Sequence, residues 1–312
     1  MSAQRISQID PSDIRLLRVF VKIVECGGFS GAQAELNVSA STISTQIAAL
    51  ESRLGIRLCS RGRVGFSLTD KGRRVYGAAK RLEYAIDDFR GGIGELRGKL
   101  VGDLHVAVVD STVTNADIRL DETLARFAGR DHSVHVSLHV MEPARIEQSV
   151  LDGQVHVGIS AFYHHVPALT YEHLCFERHS LYCGRRNRLF AALPDRVPRE
   201  DVMQADYVAR GYMTQREVPR VAGLKVGATA HDMEAALTLV RSGAYIAHLP
   251  EHYAACWVAQ GELRPILPDT FGFSSEFEFV VRKGAAGVGI VRAFVDDLRS
   301  SHRPPADPAT TL

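Results

Sequence analysis

Ser41, Thr42, Ser44, Thr45 and Gln46 stand together in the run ASTISTQIAALESRL, and each side chain can both donate and accept a hydrogen bond. Groups of that kind suit base edges in a duplex major groove, where every base pair presents its own pattern of donors and acceptors. Arg53, Arg57, Arg61 and Arg63 come next, and from Arg53 to Arg81 nine Lys or Arg face the single acid Asp70. Cationic density of this order suits phosphate, whose neutralisation releases counterions. Arg61-Gly62-Arg63 reads in isolation as a solvated turn. Beside the polar run it reads as a wing that reaches phosphate or the minor groove.

The elements that must position these groups are legible in the same stretch. Ile43, Ile47, Leu50 and Leu54 fall at i, i+4, i+7 and i+11, one apolar stripe backing the polar edge. Ser30 is expected to cap a preceding helix running to about Leu36, with Ala32 and Leu36 on one face. Asn37 tolerates a left-handed turn, and Ser39 or Ser41 can cap the helix after it. An earlier helix, about Ser12 to Cys26, starts at Asp10-Pro11-Ser12, buries Leu16 or Leu17, Phe20 and Val24, and stops at Gly27-Gly28. Its expected role is to brace the polar helix. Phe66-Ser67-Leu68 reads as a strand. The candidate DNA contacts are therefore Ser30, Ser39, Ser41, Thr42, Ser44, Thr45, Gln46, Arg53, Arg61 and Arg63.

The series Leu17-Arg18-Val19-Phe20, Gly28-Phe29-Ser30, Ala32, Leu36, Val38-Ser39, Ile43-Ser44, Gln46-Ile47, Leu50-Glu51, Leu54-Gly55, Leu58, Arg61 and Leu68-Thr69-Asp70-Lys71-Gly72 resembles the DNA-binding domain of LysR-type transcriptional regulators. The resemblance implies an all-α winged helix-turn-helix head on double-stranded DNA. Gln33 stands where the family commonly has a second Ala, and Cys59 where it commonly has Phe. Both departures are expected to touch packing rather than DNA contact.

Composition agrees with a basic head on a body of another kind. Of 312 residues, the first hundred carry 16 Lys/Arg against 10 Asp/Glu, a balance of +6, and the remainder 21 against 26, a balance of −5. That split suggests a polyanion-binding head on a body that does not bind polyanions. Apolar residues make up 46% of the chain, ample for buried cores, and no apolar run is long enough for a membrane span. MSAQRISQID has no apolar signal core, so a cytoplasmic protein without membrane partners is expected. Cys26, Cys59, Cys175, Cys183 and Cys256 are odd in number and form no C-x-x-C, which points to a reduced compartment and small core thiols.

From about Thr69 to Gly98 the pattern is helical, with Val75, Leu82, Ile86 and Phe89 along one narrow apolar side. A second copy of the chain is the natural cover for it, and packing on its own domain is the alternative. Family resemblance favours the dimer, as dimer or tetramer of the whole protein. Glycines at 91, 92, 94 and 98 mark Arg90–Gly102 as a hinge.

Beyond Asp103 short apolar strands alternate with helices. Strands are expected at Leu104–Val109, Val134–Val140, Val155–Ser160, Leu181–Gly184, Tyr207–Ala209, Lys225–Ala228, Tyr245–His248 and Glu276–Arg282. Helices are expected at Thr114–Gly129, Pro143–Gly153, His231–Ser242, Glu251–Gln260 and Gly287–Ser301. The alternation implies a parallel sheet covered on both faces. Leu151–Ile159 and Leu239–Pro250 resemble segments of the LysR-type effector domain, with His156 where Asp is usual. The resemblance implies an α/β, periplasmic-binding-protein-like body of two subdomains joined by two crossing strands. The expected organisation is a head at 1–72, a linker and hinge at 73–102, an effector domain at 103–301 and a disordered tail at 302–312. Within the effector domain, subdomain I takes 103–175 and 275–301 and subdomain II takes 176–274.

Ligands of parallel α/β units sit beyond the carboxyl ends of strands, where helix N-termini offer free N–H groups. Candidate effector contacts there are Ser111, Thr112, Ser160, Tyr163, Arg210, Tyr212, Thr229 and His231, with Met213 and Thr214 beside them. Hydroxyls with one Arg and one His suggest a small polar or carboxylate-bearing effector; helix capping by Ser111 and Thr112 and an ordinary surface role for His231 are the alternatives. His132, His135 and His139 lack a carboxylate or Cys at ligand spacing, so no metal is expected. Nor is a cofactor: no Gly-x-Ser-x-Gly, Gly-x-x-x-x-Gly-Lys or Gly-x-Gly-x-x-Gly occurs. The readings left beside a ligand-controlled regulator are a constitutive DNA binder and an α/β enzyme carrying a DNA-binding head.

Overall fold

The computed structural model describes residues 10–62, 65–96, 99–212, 223–285 and 289–302, in two compact units, the first made of the residues up to Phe89 together with Asp152–Gln154 and the second of the remainder. Expectations for residues 1–9, for Arg63, for Met213 and Thr214, and for the tail beyond His302 lie outside the described residues.

The first unit is built from α1 (Pro11–Glu25), α2 (Phe29–Leu36), α3 (Ala40–Leu54), the hairpin β1 (Cys59–Gly62) and β2 (Gly65–Leu68), and α4 (Asp70–Leu96) as far as Phe89, the residues from Arg90 onward belonging to the second unit. Asp10 accepts from the Ser12 and Asp13 amides while Asp13 returns a bond to the Asp10 amide, and Pro11 takes the first helical position. Val19, Phe20 and Ile23 of α1 are buried in one core with Ile43, Ile47 and Leu50 of α3 and with Leu58. Burying each such side chain is worth about 1.5–3 kcal/mol, so the stripe on α3 is held firmly inward. Leu16, Leu17 and Val24, expected at the centre, are half-buried at its margin, along with Val75 of α4. Cys59 is buried in the same core, in line with a packing role.

Ser30 does not cap α2. Gly28, with φ at 143°, starts the helix with no side-chain cap, because Cys26-Gly27-Gly28 turns tightly enough for the Gly28 amide to reach the Ile23 carbonyl at 2.9 Å. Asn37 does adopt the left-handed conformation at φ 52°, and Ser39, not Ser41, caps α3 by accepting from the Thr42 amide at 3.2 Å. The glycines expected to loosen the chain after Arg90 do not interrupt α4, which continues to Leu96. A Cβ on Gly94 would stand 2.9 Å from the Lys99 carbonyl oxygen, so this glycine serves close approach where the chain turns back.

The second unit runs β3 (Leu100–Val108), α5 (Leu120–Ala128), β4 (His132–Val140), α6 (Pro143–Leu151), β5 (Val157–Ala161), β6 (Leu169–Gly184), α7 (Arg199–Gln204), β7 (Asp206–Arg210) and β8 (Lys225–Ala230). It continues through α8 (Met233–Arg241), β9 (Tyr245–Pro250), α9 (Glu251–Ala259), β10 (Leu263–Ile266), α10 (Pro268–Phe271), β11 (Phe273–Arg282) and α11 (Gly289–His302). The strands form one sheet in the order β4-β3-β5-β11-β6-β9-β7-β8, with β10 also on β6. Pairing is parallel within β4-β3-β5 and within β9-β7-β8, but antiparallel wherever β6 or β11 takes part. The sheet is thus mixed, not wholly parallel. Helices α5, α6 and α11 cover a core around Leu104, Val106, Phe127, Ile146, Phe279 and Phe294. Two further clusters, one around Leu181, Val202 and Phe271 and one around Val240, Leu249 and Ala254, fill the other half.

Two helices begin later than their periodicity suggests. The expected helix at Thr114 is a short 3-10 turn at Thr112–Thr114, and α5 starts only at Leu120. Asn115 Oδ1 accepts from the Asp117 amide at 3.1 Å, a local side-chain turn that competes with helical bonding. Likewise α8 opens at Met233 because the Asp232 side chain caps it through the Ala235 amide at 2.7 Å. The segments α7, β10 and α10, absent from the sequence reading, are four to six residues each and too short to show a period.

Candidate DNA-binding helix and effector cleft

Along α3 the apolar side is sealed and the opposite side is open: Ser41, Thr42 and Thr45 are exposed, and Ser44 and Gln46 half-buried. Ser39 joins them through its hydroxyl, 2.8 Å from that of Ser41 and 2.9 Å from that of Thr42, and the Thr45 hydroxyl donates to the Ser41 carbonyl at 3.0 Å. These local bonds hold the side chains in place on the exposed side of the helix. Gln46 Oε1 is buried without a hydrogen-bond partner among the described residues. Ser30 is exposed at the start of α2.

Arg53 is placed differently from the other arginines. Its guanidinium folds back onto α1, 2.8 Å from Asp10 Oδ2 and 2.7 Å from Asp13 Oδ2, tying the end of α3 to the capping box. The Ser12 hydroxyl, against the upward push of desolvation and with help from the Asp13 amide and Arg53, holds the Asp10 carboxyl down to about 2. Arg57 is exposed, and Arg61 lies on β1 opposite Phe66. Glu51 Oε1 accepts from the Leu58 amide at 2.7 Å and the Cys59 amide at 3.2 Å, fastening the hairpin to α3. On α4, Leu82 and Ile86 are half-buried and Phe89 is 69% exposed, whereas Val75 packs into the head's own core. Val75 is thereby removed from the apolar side offered to a second copy.

In the second unit a cleft opens at the carboxyl ends of β3, β5 and β7. Ser111, Ser160, Tyr163, Arg210 and Tyr212 line it, as their positions in the sequence suggested. Thr112 and Thr229 do not line it, and His231 lines a neighbouring depression, 3.3 Å from Glu142 across it. Ser111 caps nothing; it sits in the left-handed region at φ 62°, a strained conformation for a residue with a side chain.

Asp110, Glu177 and His179 also line the cleft; Asp110 belongs to the strand-end segment Asp110-Ser111-Thr112 that the sequence points to, whereas nothing in the sequence singles out Glu177 and His179. Asp110 accepts from the Met233 amide, so the end of β3 is bonded to the start of α8. Glu177 takes the Asn115 side-chain amide at 3.2 Å, His252 Nε2 at 2.8 Å and His179 Nε2 at 2.9 Å. Burial pushes the Glu177 carboxyl up, but the His179 and His252 donors more than offset it and hold it at about 2. Burial lowers His179, so its ring is neutral, donating from Nε2 while Nδ1 faces Arg210 at 3.3 Å. Below it, burial drives His248 down to about 3, and that ring sits between Tyr207 at 3.1 Å and the Phe271 carbonyl at 2.9 Å. Tyr212 is pushed up to about 12 by burial, so its phenol stays neutral in the cleft wall. Asp110 directly precedes Ser111 at a strand end, so its segment was legible, but its carboxylate was not counted among the contacts. Glu177 and His179 were hidden because β6 was expected only from Leu181.

No group of three or more His, Cys, Asp or Glu among the described residues is arranged to hold a metal ion. Of the histidines weighed for that role, His132 is bonded to the Phe127 carbonyl at 3.0 Å and His139 stacks against His105 with centroids 5.8 Å apart.

The family profile described as "Bacterial regulatory helix-turn-helix protein, lysR family" matches residues 14–73, and the one described as "LysR substrate binding domain" matches residues 97–303. The chain belongs to the LysR family of transcriptional regulators. Among curated LysR relatives, the HTH-type transcriptional activator BauR of Pseudomonas aeruginosa is 39% identical over 292 residues, covering 93% of this chain and 96% of BauR. A probable HTH-type transcriptional regulator of Synechococcus elongatus, LrrA, is 35% identical over 147 residues, covering 47% of this chain and 49% of its own length. Among solved structures, the LysR-family regulator CbnR superposes with a TM-score of 0.65 at 22% identity, covering 93% of this chain and 99% of CbnR. Full-length CbnR complexed with its target DNA gives a TM-score of 0.66 at the same 22% identity. At that identity the likeness shows a shared LysR fold, a helix-turn-helix head followed by an α/β domain. This LysR protein is thus a DNA-binding regulator with an effector domain, and not an enzyme.

Proposed function

We propose that this LysR regulator reads duplex DNA with the exposed edge of α3 and is controlled by a small polar, carboxylate-bearing effector in the cleft of its second unit. The observation that carries the first part is the division of α3, with Ile43, Ile47 and Leu50 buried and Ser41, Thr42 and Thr45 exposed. Thr42, Thr45 and Gln46 meet base edges, while Ser30, Ser39 and Ser41 steady the helix on the backbone. Arg61 and Arg63 supply phosphate or minor-groove contacts, and Arg57 extends that set. Arg53, spoken for by Asp10 and Asp13, holds α3 at its angle to α1 instead. Two heads pair through the α4 side bearing Leu82, Ile86 and Phe89, giving a dimer or tetramer. We place the protein in the cytoplasm, a reading supported by family membership; no described helix is long and apolar enough to cross a membrane.

Binding to DNA containing the chain's own promoter, measured against salt, tests this reading. Replacing Arg61 or Arg63 with Ala should weaken binding to all sequences and lower the salt slope by about one per lost phosphate contact. Replacing Thr42 or Gln46 should change which sequence is preferred. Unaltered affinity and preference in both series would remove the DNA-reading assignment. For the effector, a melting point that rises with the concentration of a small carboxylate separates a ligand-controlled protein from a constitutive binder.

A further inference from the structure

The two carboxylates in the cleft wall are not equivalent. Glu177 is saturated, with the Asn115 amide and His252 on Oε1 and His179 on Oε2. Asp110 is half-buried and, among the described residues, holds a single hydrogen bond, from the Met233 amide to Oδ2, with none to Oδ1. Burial pushes the Asp110 carboxyl above the usual range, and the Met233 amide and then Arg210 pull it part of the way back. It is a desolvated carboxylate with an oxygen to spare, facing open space in both the cleft and the adjoining depression.

The same contacts close the site where an anionic ligand would ordinarily bind. The N-terminal amides of α8 would serve a ligand carboxylate, but Asp110 fills Met233 N–H and Asp232 fills Ala235 N–H. A ligand carboxylate at that end would meet two acids in place of free donors. Favourable surroundings for it are the Arg210 guanidinium, which lies 3.6 Å from Met233 Sδ, and the hydroxyls of Ser111 and Ser160 in the same cleft. Asp110 Oδ1, which accepts from no described residue, is instead complementary to a cation.

We propose that the effector carries a protonated amine as well as a carboxylate, and that Asp110 is the residue that selects for the amine. The proposal rests on the reading of the cleft as the effector site. The ammonium group donates to Asp110 Oδ1, and the ligand carboxylate faces Arg210, Ser111 and Ser160. Since Asp110 also bonds the start of α8, ligand and protein act on the same joint between β3 and α8.

The test uses the full-length protein and three sets of probes in thermal-shift and calorimetric titrations. These are the common α-amino acids with the straight-chain ω-amino acids from three to six carbons, the matching monocarboxylates lacking the amine, and the matching alkylamines. One or more amino acids should raise the melting point, with the matching carboxylate and amine each at least tenfold weaker. Asp110→Asn keeps an acceptor for the Met233 amide and should cost the amino acid at least tenfold in Kd while its tenfold advantage over the carboxylate disappears. Asp110→Glu, which keeps the charge, should retain the advantage, and separates loss of charge from loss of fold. A monocarboxylate binding as tightly as its amino acid, or Asp110→Asn binding the amino acid like the wild type, would overturn the amine assignment while leaving a small-carboxylate effector standing. No response to any amino acid would also overturn it; a response to carboxylates in that experiment would still leave the cleft an effector site.

Discussion

Gly72 and Leu58 touch backbone to backbone: a Cβ placed on Gly72 would stand 1.9 Å from the Leu58 carbonyl oxygen. That carbonyl already accepts from the Thr69 amide at 3.0 Å, and Thr69 Oγ1 receives the Gly72 amide at 2.9 Å. The start of α4, the root of the wing and the end of the turn after α3 are locked together through one small residue. Gly72→Ala should therefore destabilise the head by about 3 kcal/mol, the upper range for overpacking, since backbone rather than a flexible side chain must move. Urea unfolding followed by a probe in the head checks this. A head as stable as the wild type would mean the junction yields freely.

Arg53 bridges α3 to Asp10 and Asp13, so its removal should loosen the head without removing a phosphate contact. Arg53→Met is expected to lower the melting point of the head while leaving the salt slope of DNA binding unchanged; a slope reduced by about one would assign it to phosphate after all. Asp10 sits at about 2, below the ordinary value of 3.8, so its contribution is complete above pH 4 and fades as pH falls toward 2. The gap in melting point between wild type and variant should narrow over the same interval without closing, because the Ser12 hydroxyl is the main cause of the Asp10 shift and Arg53 also holds Asp13.

Glu177 is the buried charge on which three donors converge, and Gln in its place would turn an amide N–H toward a histidine N–H. Glu177→Gln should cost the second unit about 3 kcal/mol, as expected when one partner of a buried ionic network is removed. Its folded value of about 2 lies below the ordinary 4.5, so the stabilisation is full above pH 4.5 and disappears as pH falls toward 2. Acid titration of wild type and variant, followed by calorimetry, should show the wild type losing more stability through that window. Parallel curves would contradict the network.

Phe89 and Leu96 on α4 are 69% and 84% exposed, whereas Val75 packs into the head core. Phe89→Glu and Leu96→Glu should weaken self-association in sedimentation experiments without lowering the melting point of the head. Val75→Ala should do the reverse. Association unchanged in both glutamate variants would place the assembly surface elsewhere.

Much of the head is determined locally, which is why its residues could be read in order. The stripe Ile43, Ile47, Leu50 has the period of a helix, Asn37 sits where a left-handed turn was needed, and the polar edge of α3 lies opposite the stripe by helix geometry alone. Along the body, strand alternation was likewise visible, and the strand ends led to Ser111, Ser160, Arg210 and Tyr212 in the cleft. Tertiary structure decided what partners those side chains have. Arg53 looks like its neighbouring arginines in the sequence, yet α1 brings Asp10 and Asp13 to it from some forty positions away. Asp110 and Met233 are 123 positions apart and Asn115 and Glu177 are 62 apart, and no local pattern records either pair. Periodicity reports which face of an element is buried, because that depends on neighbours three or four residues away. Which charge is satisfied and which is left open depends on contacts between distant segments, and only the folded chain sets those.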